Sequence, residues 1–375
     1  MKKLVIAAAV LGAFAGTAQA QSSVTLFGVV DTNVTHINAN GDPAGSRTFF
    51  DNSGINSSRI GVRGTEDLGG GLKAGFWLEA GINSNNGSGS TTSLGNGAAY
   101  PGEATGGGGL TFNRRSTVSL ISDRFGELRV GRDYVPTFWN AANVDPFGYN
   151  GIGEIASFLF EGQAGMGATS VRASNSVSYL TPNTLGGFFV QATYALGGNP
   201  NNIAAVDPGA TRYDGNYAGI NIGYQNGPIY AGVATSFDHQ GQSLETGDSH
   251  VTNFGVSYDF GFVKPDFFAQ TATENIAPQQ FTTDVYSLGV VVPLGQGEFR
   301  FNYDHVNGKD LLSGSHANGF GLGYVYNLSK RTAVYGLYGR INNSGDYAFS
   351  LNGYAPGPAA GDSTSGVSIG LRTSF

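Results

Sequence analysis

The sequence predicts an all-β fold, a closed transmembrane antiparallel barrel of about sixteen strands with an aqueous interior. Three observations predict it. Apolar and polar residues alternate with period two in segments of roughly ten residues from Ser23 to the C-terminus. The links between these segments are of two kinds, short turns and long polar loops. The composition joins 60 glycines to 25 Phe, 18 Tyr and 2 Trp, with no cysteine.

The first residues stand apart. Lys2 and Lys3 precede an apolar run from Leu4 to Ala15 and then Ala18-Gln19-Ala20, the pattern of a secretory leader with its cleavage site. The run is shorter than the roughly 20 residues a membrane-crossing helix needs, and no later stretch approaches that length. Residues 1–20 are therefore expected to be removed on export, leaving 21–375 as a single barrel domain with no linker. Without Lys2 and Lys3, the 20 basic residues fall to 18 against 27 acidic ones, a formal charge of −9. An acidic chain argues against nucleic acid as a partner. The absence of cysteine excludes a disulfide scaffold. Gly-rich chains are usually disordered and aromatic-rich ones usually have a core, and a closed sheet accommodates both: glycines let strands coil and turn, while Phe and Tyr form an outward band with girdles.

The alternation is plain in several segments. Phe299, Phe301 and Tyr303 share one face, with Arg300, Asn302 and Asp304 on the other. Phe254, Val256, Tyr258 and Phe260 oppose Asn253, Ser257 and Asp259, and Phe320, Leu322, Tyr324 and Tyr326 oppose a row of glycines. Alternation alone does not separate a soluble sandwich from a barrel whose apolar face meets lipid. The connections do. Gly69-Gly70-Gly71, Phe125-Gly126, Gln225-Asn226-Gly227-Pro228, Gly295-Gln296-Gly297 and Leu328-Ser329-Lys330 interleave with long stretches such as 83–109, 197–215 and 342–363. Short turns at one rim and long loops at the other belong to membrane barrels.

Strands are expected to start near Ser23, Ser58, Leu72, Phe112, Glu127, Asn175, Phe188, Asn216, Ile229, His250, Val263, Asp284, Glu298, Ala317, Thr332 and Ser365. An even number closes the sheet and leaves no edge bare in hydrocarbon, where each unpaired polar group costs several kcal/mol. In the last strand Val367, Ile369, Leu371 and the terminal Phe375 lie on one face.

These residues resemble the sixteen-stranded general-diffusion porins of Gram-negative outer membranes over essentially the whole mature length. Val24-Thr25-Leu26-Phe27-Gly28 through Asp31 is similar to their first strand, and Ser58-Arg59-Ile60-Gly61, Glu66-Asp67-Leu68-Gly69, Gly71-Leu72-Lys73-Ala74 and Glu79 to their second hairpin. Asp123-Arg124-Phe125-Gly126, Val130-Gly131-Arg132, Tyr134, Pro136 and Asp145-Pro146-Phe147-Gly148 resemble the fifth strand and the start of the third loop. The resemblance implies an outer-membrane homotrimer passing ions and small hydrophilic solutes. It also implies short periplasmic turns, long extracellular loops and a third loop, 133–172, folded into the lumen as a constriction. Phe375 would be presented to the outer-membrane assembly machinery, and lipid and lipopolysaccharide would surround the barrel.

Charge fixed at the narrowest point sets selectivity, because low-dielectric walls focus the field. With Ile60 and Val62 facing lipid, Arg59 and Arg63 face the lumen, and the same parity turns Lys73, Arg115 and Arg129 inward. Arg132 and Arg114, near strand ends, have ambiguous parity. The expected opposing charge comes from Asp145, Glu154 and Glu161 of the third loop, giving a transverse field; the alternative is pairing with neighbours such as Glu66, Glu79 and Glu127. The local basic wall outweighs the acidic whole-chain charge and points to weak anion selectivity.

Other chemistry finds little footing. His36, His239, His250, His305 and His316 fall in or beside outer loops with no metal-ligand spacing, so no metal or cofactor is expected. Gly151-Ile152-Gly153-Glu154-Ile155-Ala156 spells a dinucleotide pattern without a strand before it or a helix after it. Carboxylates such as Asp207, Asp214, Glu245 and Asp248 suit divalent cations at the outer rim, although a solvated loop that keeps the rim polar explains them better. A rim hydrolase would need a nucleophile with its base, and none is marked. A filled adhesin barrel would be about half as long. A substrate-specific channel would need an aromatic track, for which Trp77, Phe138 and Trp139 are the hint.

Overall fold

The structure is a computed structural model, and it describes residues 23–92, 96, 109–160, 169–205, 207–239, 247–276 and 278–375. The expected leader, 1–20, lies outside them. Eighteen β segments form along the described chain. They are β1 (Ser23–Ala39), β2 (Ser46–Asn52), β3 (Arg59–Gly69), β4 (Leu72–Asn83), β5 (Ser88–Gly89), β6 (Arg115–Ser122), β7 (Gly126–Tyr134), β8 (Arg172–Leu180) and β9 (Phe188–Ala195). The rest are β10 (Asn216–Asn226), β11 (Ile229–His239), β12 (Asp248–Tyr258), β13 (Lys264–Ile276), β14 (Gln279–Leu294), β15 (Gly297–Asp310), β16 (His316–Asn327), β17 (Thr332–Ser344) and β18 (Ser363–Ser374).

Each strand pairs antiparallel with its neighbours, and β1 pairs with β18 from Val29↔Ser374 to Ala39↔Thr364, which closes the sheet. The expected sixteen staves are present. The two further segments are accounted for by one break and one spur. β5 is a two-residue ladder on β4. β2 and β3 lie end to end along β1, which pairs β2 through residues 32–38 and β3 through 23–29.

The break between β2 and β3 is held from inside. The Asp31 carboxylate accepts the Ile55 and Asn56 N–H groups at 2.9 and 2.8 Å and the Tyr335 hydroxyl proton, while Ser58 Oγ bridges the Asp31 backbone. Buried donors find partners here because an unpaired one costs about 1–3 kcal/mol.

The two faces fall as the alternation requires. Phe299, Phe301, Phe254, Tyr258, Phe320, Leu322 and Tyr326 are exposed on the outside of the barrel, whereas Asn302, Asp304, Asn253 and Ser257 are buried within it. Among the described residues the larger apolar cluster sits inside the barrel against one side, and a smaller one joins Val135, Ala173, Ala195 and Tyr217. The larger forms where the segment after β7 packs on the inner faces of β10–β17, joining Val144, Phe147, Ile152, Ile155 and Phe158 to Phe268, Val285, Leu337 and Ile341.

That segment begins with helix α1 (Pro136–Ala142), started by a proline at its first turn, where the missing N–H is not needed. A second short helix, α2, covers Ala156–Phe160. Asn140 donates to Asn253 Oδ1 at 2.8 Å and accepts from the Tyr230 hydroxyl at 2.7 Å, and Asn253 donates to the Thr137 carbonyl at 3.0 Å. Further along, Asn150 accepts from Ser57 Oγ at 2.7 Å, and Ser157 Oγ accepts the Asn352 N–H at 2.9 Å. The row of inward glycines makes this possible. A Cβ at Gly321 would overlap the Gly153 carbonyl, and one at Gly339 the Ile152 carbonyl.

Candidate functional site: an arginine-lined wall

The opposite inner wall, centred on β3 to β7, carries the charged side chains. Two adjoining cavities of about 590 and 470 Å³ run along it and share Trp77 and Arg115. Period-two geometry puts Arg59 and Arg63 of β3, Trp77 and Glu79 of β4, Arg115 of β6 and Glu127 and Arg129 of β7 on this face. Strand register then sets who meets whom. Arg63 lies opposite Trp77, and Glu79 opposite Arg115.

Glu79 gathers one group. It accepts from Arg114 Nε at 2.6 Å and Trp77 Nε1 at 3.0 Å and lies 3.6 Å from Arg59 Nε. Asp133 and Glu127 gather another. Arg129 reaches Asp133 at 2.5 Å and Glu127 at 2.8 Å, while Arg115 lies 3.6 Å from Asp133. Arg114 and Arg172 both donate to the Tyr134 hydroxyl, at 2.6 and 2.8 Å. Among the described residues, Arg63 and Arg172 have no carboxylate within ion-pair distance. Their guanidiniums instead lie over aromatic rings, Arg63 at 4.8 Å from the Trp77 centroid and Arg172 at 4.3 Å from that of Tyr134. Such contacts contribute about 0.5–2 kcal/mol and leave the positive charge uncancelled.

Among the described residues, six guanidiniums thus stand along this wall (Arg59, Arg63, Arg114, Arg115, Arg129 and Arg172) against three carboxylates, Glu79, Glu127 and Asp133. The surplus groups line the two cavities. Arg59, Arg63, Arg115 and Arg129 are brought together as their parity requires.

Lys73 points inward but sits near the short-turn rim, paired with Asp123 at 3.1 Å and away from both cavities. Arg132 lines neither cavity. A register shift between Gly131 and Asp133 breaks the parity there, and its guanidinium donates to the Asn113 carbonyl at 2.6 Å and Ser174 Oγ at 2.7 Å, bracing strand ends.

Asp145 and Glu154 do not face the arginines. Asp145 accepts the Phe147 and Tyr149 N–H groups of its own turn at 3.0 and 2.7 Å. Burial raises its pKa to about 6, against the opposing pull of those N–H groups and of Arg300. Glu154 is buried and accepts from Ser157 Oγ at 3.0 Å. Glu161 lies outside the described residues. Asp145 and Glu154 therefore shape the loop, and among the described residues the counter-charges to the wall come from the wall itself, from Glu79 and Glu127 as the pairing alternative has it, with Asp133 added.

Sequence reading leaves the direction of Arg114 open and does not single out Arg172 or Asp133. All three sit at strand ends, where parity gives no direction. Trp77 and Tyr134 were legible as aromatic residues but not as platforms for guanidinium groups, since that depends on cross-strand register.

Comparison with known proteins gives consistent matches. Residues 7–346 match the family described as Gram-negative porin. Outer membrane porin protein 32 of Delftia acidovorans is 41% identical over 383 residues, covering 100% of both chains. An outer membrane porin protein of Bordetella pertussis is 32% identical over 386 residues, covering 89% of this chain and 93% of the relative. Among solved structures, an anion-selective porin from Comamonas acidovorans superposes with a TM-score of 0.79 at 38% identity, covering 94% of this chain and 100% of that one. OmpT of Vibrio cholerae in its trimer form shares the fold alone, with a TM-score of 0.64 at 14% identity and coverage of 94% and 99%.

Proposed function

This chain belongs to the Gram-negative porin family, outer-membrane channels for passive diffusion rather than enzymes, and from that premise we propose that its arginine wall makes the channel anion-selective. The observation carrying the proposal is the surplus of guanidiniums over carboxylates along the two cavities. A fixed surplus in a narrow, low-dielectric conduit raises the local anion concentration and repels cations. In this reading Arg59, Arg63, Arg115 and Arg129, with Arg114 and Arg172, set selectivity, and the described part of the third loop, 133–160, narrows the lumen against which they act. The relative from Comamonas acidovorans named as anion-selective supports the same sign.

We also infer a homotrimer. The outward faces of β1, β6 and β7 show mainly aliphatic exposure (Val24, Leu26, Val118, Leu120, Leu128 and Val130), while exposed aromatics concentrate on β9–β17. An aromatic girdle suits lipid headgroups, and an aliphatic sector suits protein packing. Phe375 exchanges backbone hydrogen bonds with Gly28 at 3.1 Å, leaving its ring outside the barrel, where it supports the assembly-signal role. Export with cleavage after Ala20, and contact of the long loops with lipopolysaccharide, complete the proposal.

The test is planar-bilayer recording of wild type and of Arg59→Ala with Arg63→Ala. Conductance steps in groups of three and a reversal potential in a KCl gradient that moves toward cations in the variant are expected. An unchanged reversal potential would remove these arginines from the selectivity mechanism.

A further inference from the structure

Five histidines separated in sequence by no ligand motif gave no reason to expect a metal. The barrel changes this for two of them. His305 on β15 and His316 on β16 are eleven residues apart, but the register pairs His305 with Asn318 and His316 with Asn307, which makes the two histidines diagonal neighbours on one face. Their ring centroids are 6.4 Å apart with planes inclined by 37°. Both project outward, on the same parity as the exposed Phe301 and Phe320, and on the long-loop side of the Tyr303–Phe320 ring pair.

We propose that His305 and His316 form a two-imidazole binding site for a borderline divalent transition metal such as Zn²⁺ or Cu²⁺ on the outer rim of the barrel. The tautomer supports it. His305 Nδ1 lies 2.9 Å from Asn318 Oδ1, which also accepts the Tyr303 hydroxyl proton at 2.8 Å. An oxygen already accepting is met by Nδ1–H, so His305 Nε2 carries the free lone pair. This is the way metal-binding imidazoles are oriented, with the second nitrogen donating to a fixed oxygen.

The distances also allow it. A metal–nitrogen bond of about 2.0–2.1 Å places each ring centroid about 3.2 Å from the ion, so a 6.4 Å pair sits at the linear limit of sharing one ion. His316 is exposed, and rotation of its ring brings the pair to a bent geometry with water in the remaining positions. The chemistry selects the metal class. Two neutral nitrogens suit Zn²⁺, Ni²⁺ and Cu²⁺, whereas Ca²⁺ and Mg²⁺ require oxygen cages. The nearby ammonium of Lys309 is committed to Asp284 at 2.5 Å.

Isothermal titration of the detergent-solubilised full-length barrel with Zn²⁺, together with Cu²⁺ paramagnetic resonance, tests this. Wild type should bind one ion per chain with two nitrogen ligands, and His305→Ala or His316→Ala should each weaken binding at least tenfold. Single-channel conductance should stay unchanged in both variants, which establishes that they fold. His239, between Asp214 at 3.5 Å and Asp248 at 2.9 Å, is the competing position. Binding lost in His239→Ala but retained in His305→Ala and His316→Ala would overturn the proposal, as would the absence of binding in wild type.

Discussion

The Arg115 guanidinium lies 4.5 Å from the centroid of the Trp77 ring, and the same ring carries Arg63 at 4.8 Å. Arg63 belongs to β3 and Arg115 to β6, two staves apart with β4 between them. Trp77, on β4, thus holds two like charges in fixed positions that their mutual repulsion would otherwise vary, and its own N–H is anchored on Glu79 at 3.0 Å. The wall is a stacked array and not a set of independent side chains.

Trp77→Leu should release both guanidiniums toward the nearest carboxylates. With about 1 kcal/mol in each stack, the permeability ratio of chloride to potassium is expected to fall by about two- to fivefold. Reversal potentials in a KCl gradient measure it; a ratio equal to wild type would mean that the ring has no part in holding the array.

Glu79→Gln should act in the opposite sense. It removes the carboxylate that serves Arg114 and Arg59 and leaves their charge uncancelled in the cavity. Anion preference should rise while the unfolding temperature drops, the cost staying below about 3 kcal/mol because water in the lumen solvates the freed groups. A shift toward cations would contradict the field argument.

Gly321→Val and Gly339→Val should each push the loop off the wall, because their side chains would occupy the space of the Gly153 and Ile152 carbonyls. Displaced into the lumen, the loop should reduce single-channel conductance by tens of per cent. Gly336→Ala is the control, since nothing lies within 4 Å of a Cβ there.

Acidification should strengthen anion preference as pH falls through about 6, where Asp145 takes up its proton and the loop loses a negative charge. Because the folded-state value is raised above the ordinary one, the folded barrel favours the proton. This group's contribution to stability therefore declines as pH rises from about 4 to about 6 and remains lowered above that. Arg300, Tyr149, Asp266 and Asp304 act on the same carboxylate or are acted on by it. The comparison with Asp145→Asn isolates its step: the reversal-potential change centred near pH 6 should vanish in that variant.

Asp31→Ala should loosen the break between β2 and β3, stranding the Ile55 and Asn56 N–H groups and the Tyr335 hydroxyl. A loss of about 2–4 kcal/mol is expected for buried donors left unpaired. It is read as a lower temperature for the heat-induced change in electrophoretic mobility. An unchanged temperature would show that the inward turn holds without Asp31.

The sequence by itself determined the strand number, the order of short and long connections, and the outward and inward face of nearly every stave. A strand has only two faces, so a period-two pattern assigns Phe301 and Arg63 alike without knowledge of any partner. The same rule placed Arg59, Arg63, Arg115 and Arg129 on one wall. It failed where the period is broken, at Arg132 beside the register shift and at Arg114 and Arg172 at strand ends. Tertiary structure decided what these groups meet. Cross-strand register set Trp77 beneath two guanidiniums and brought His305 beside His316, and the course of the loop turned Asp145 and Glu154 away from the arginines. Those relations join residues that are remote along the chain or held in irregular backbone, and only closure of the sheet fixes their separation.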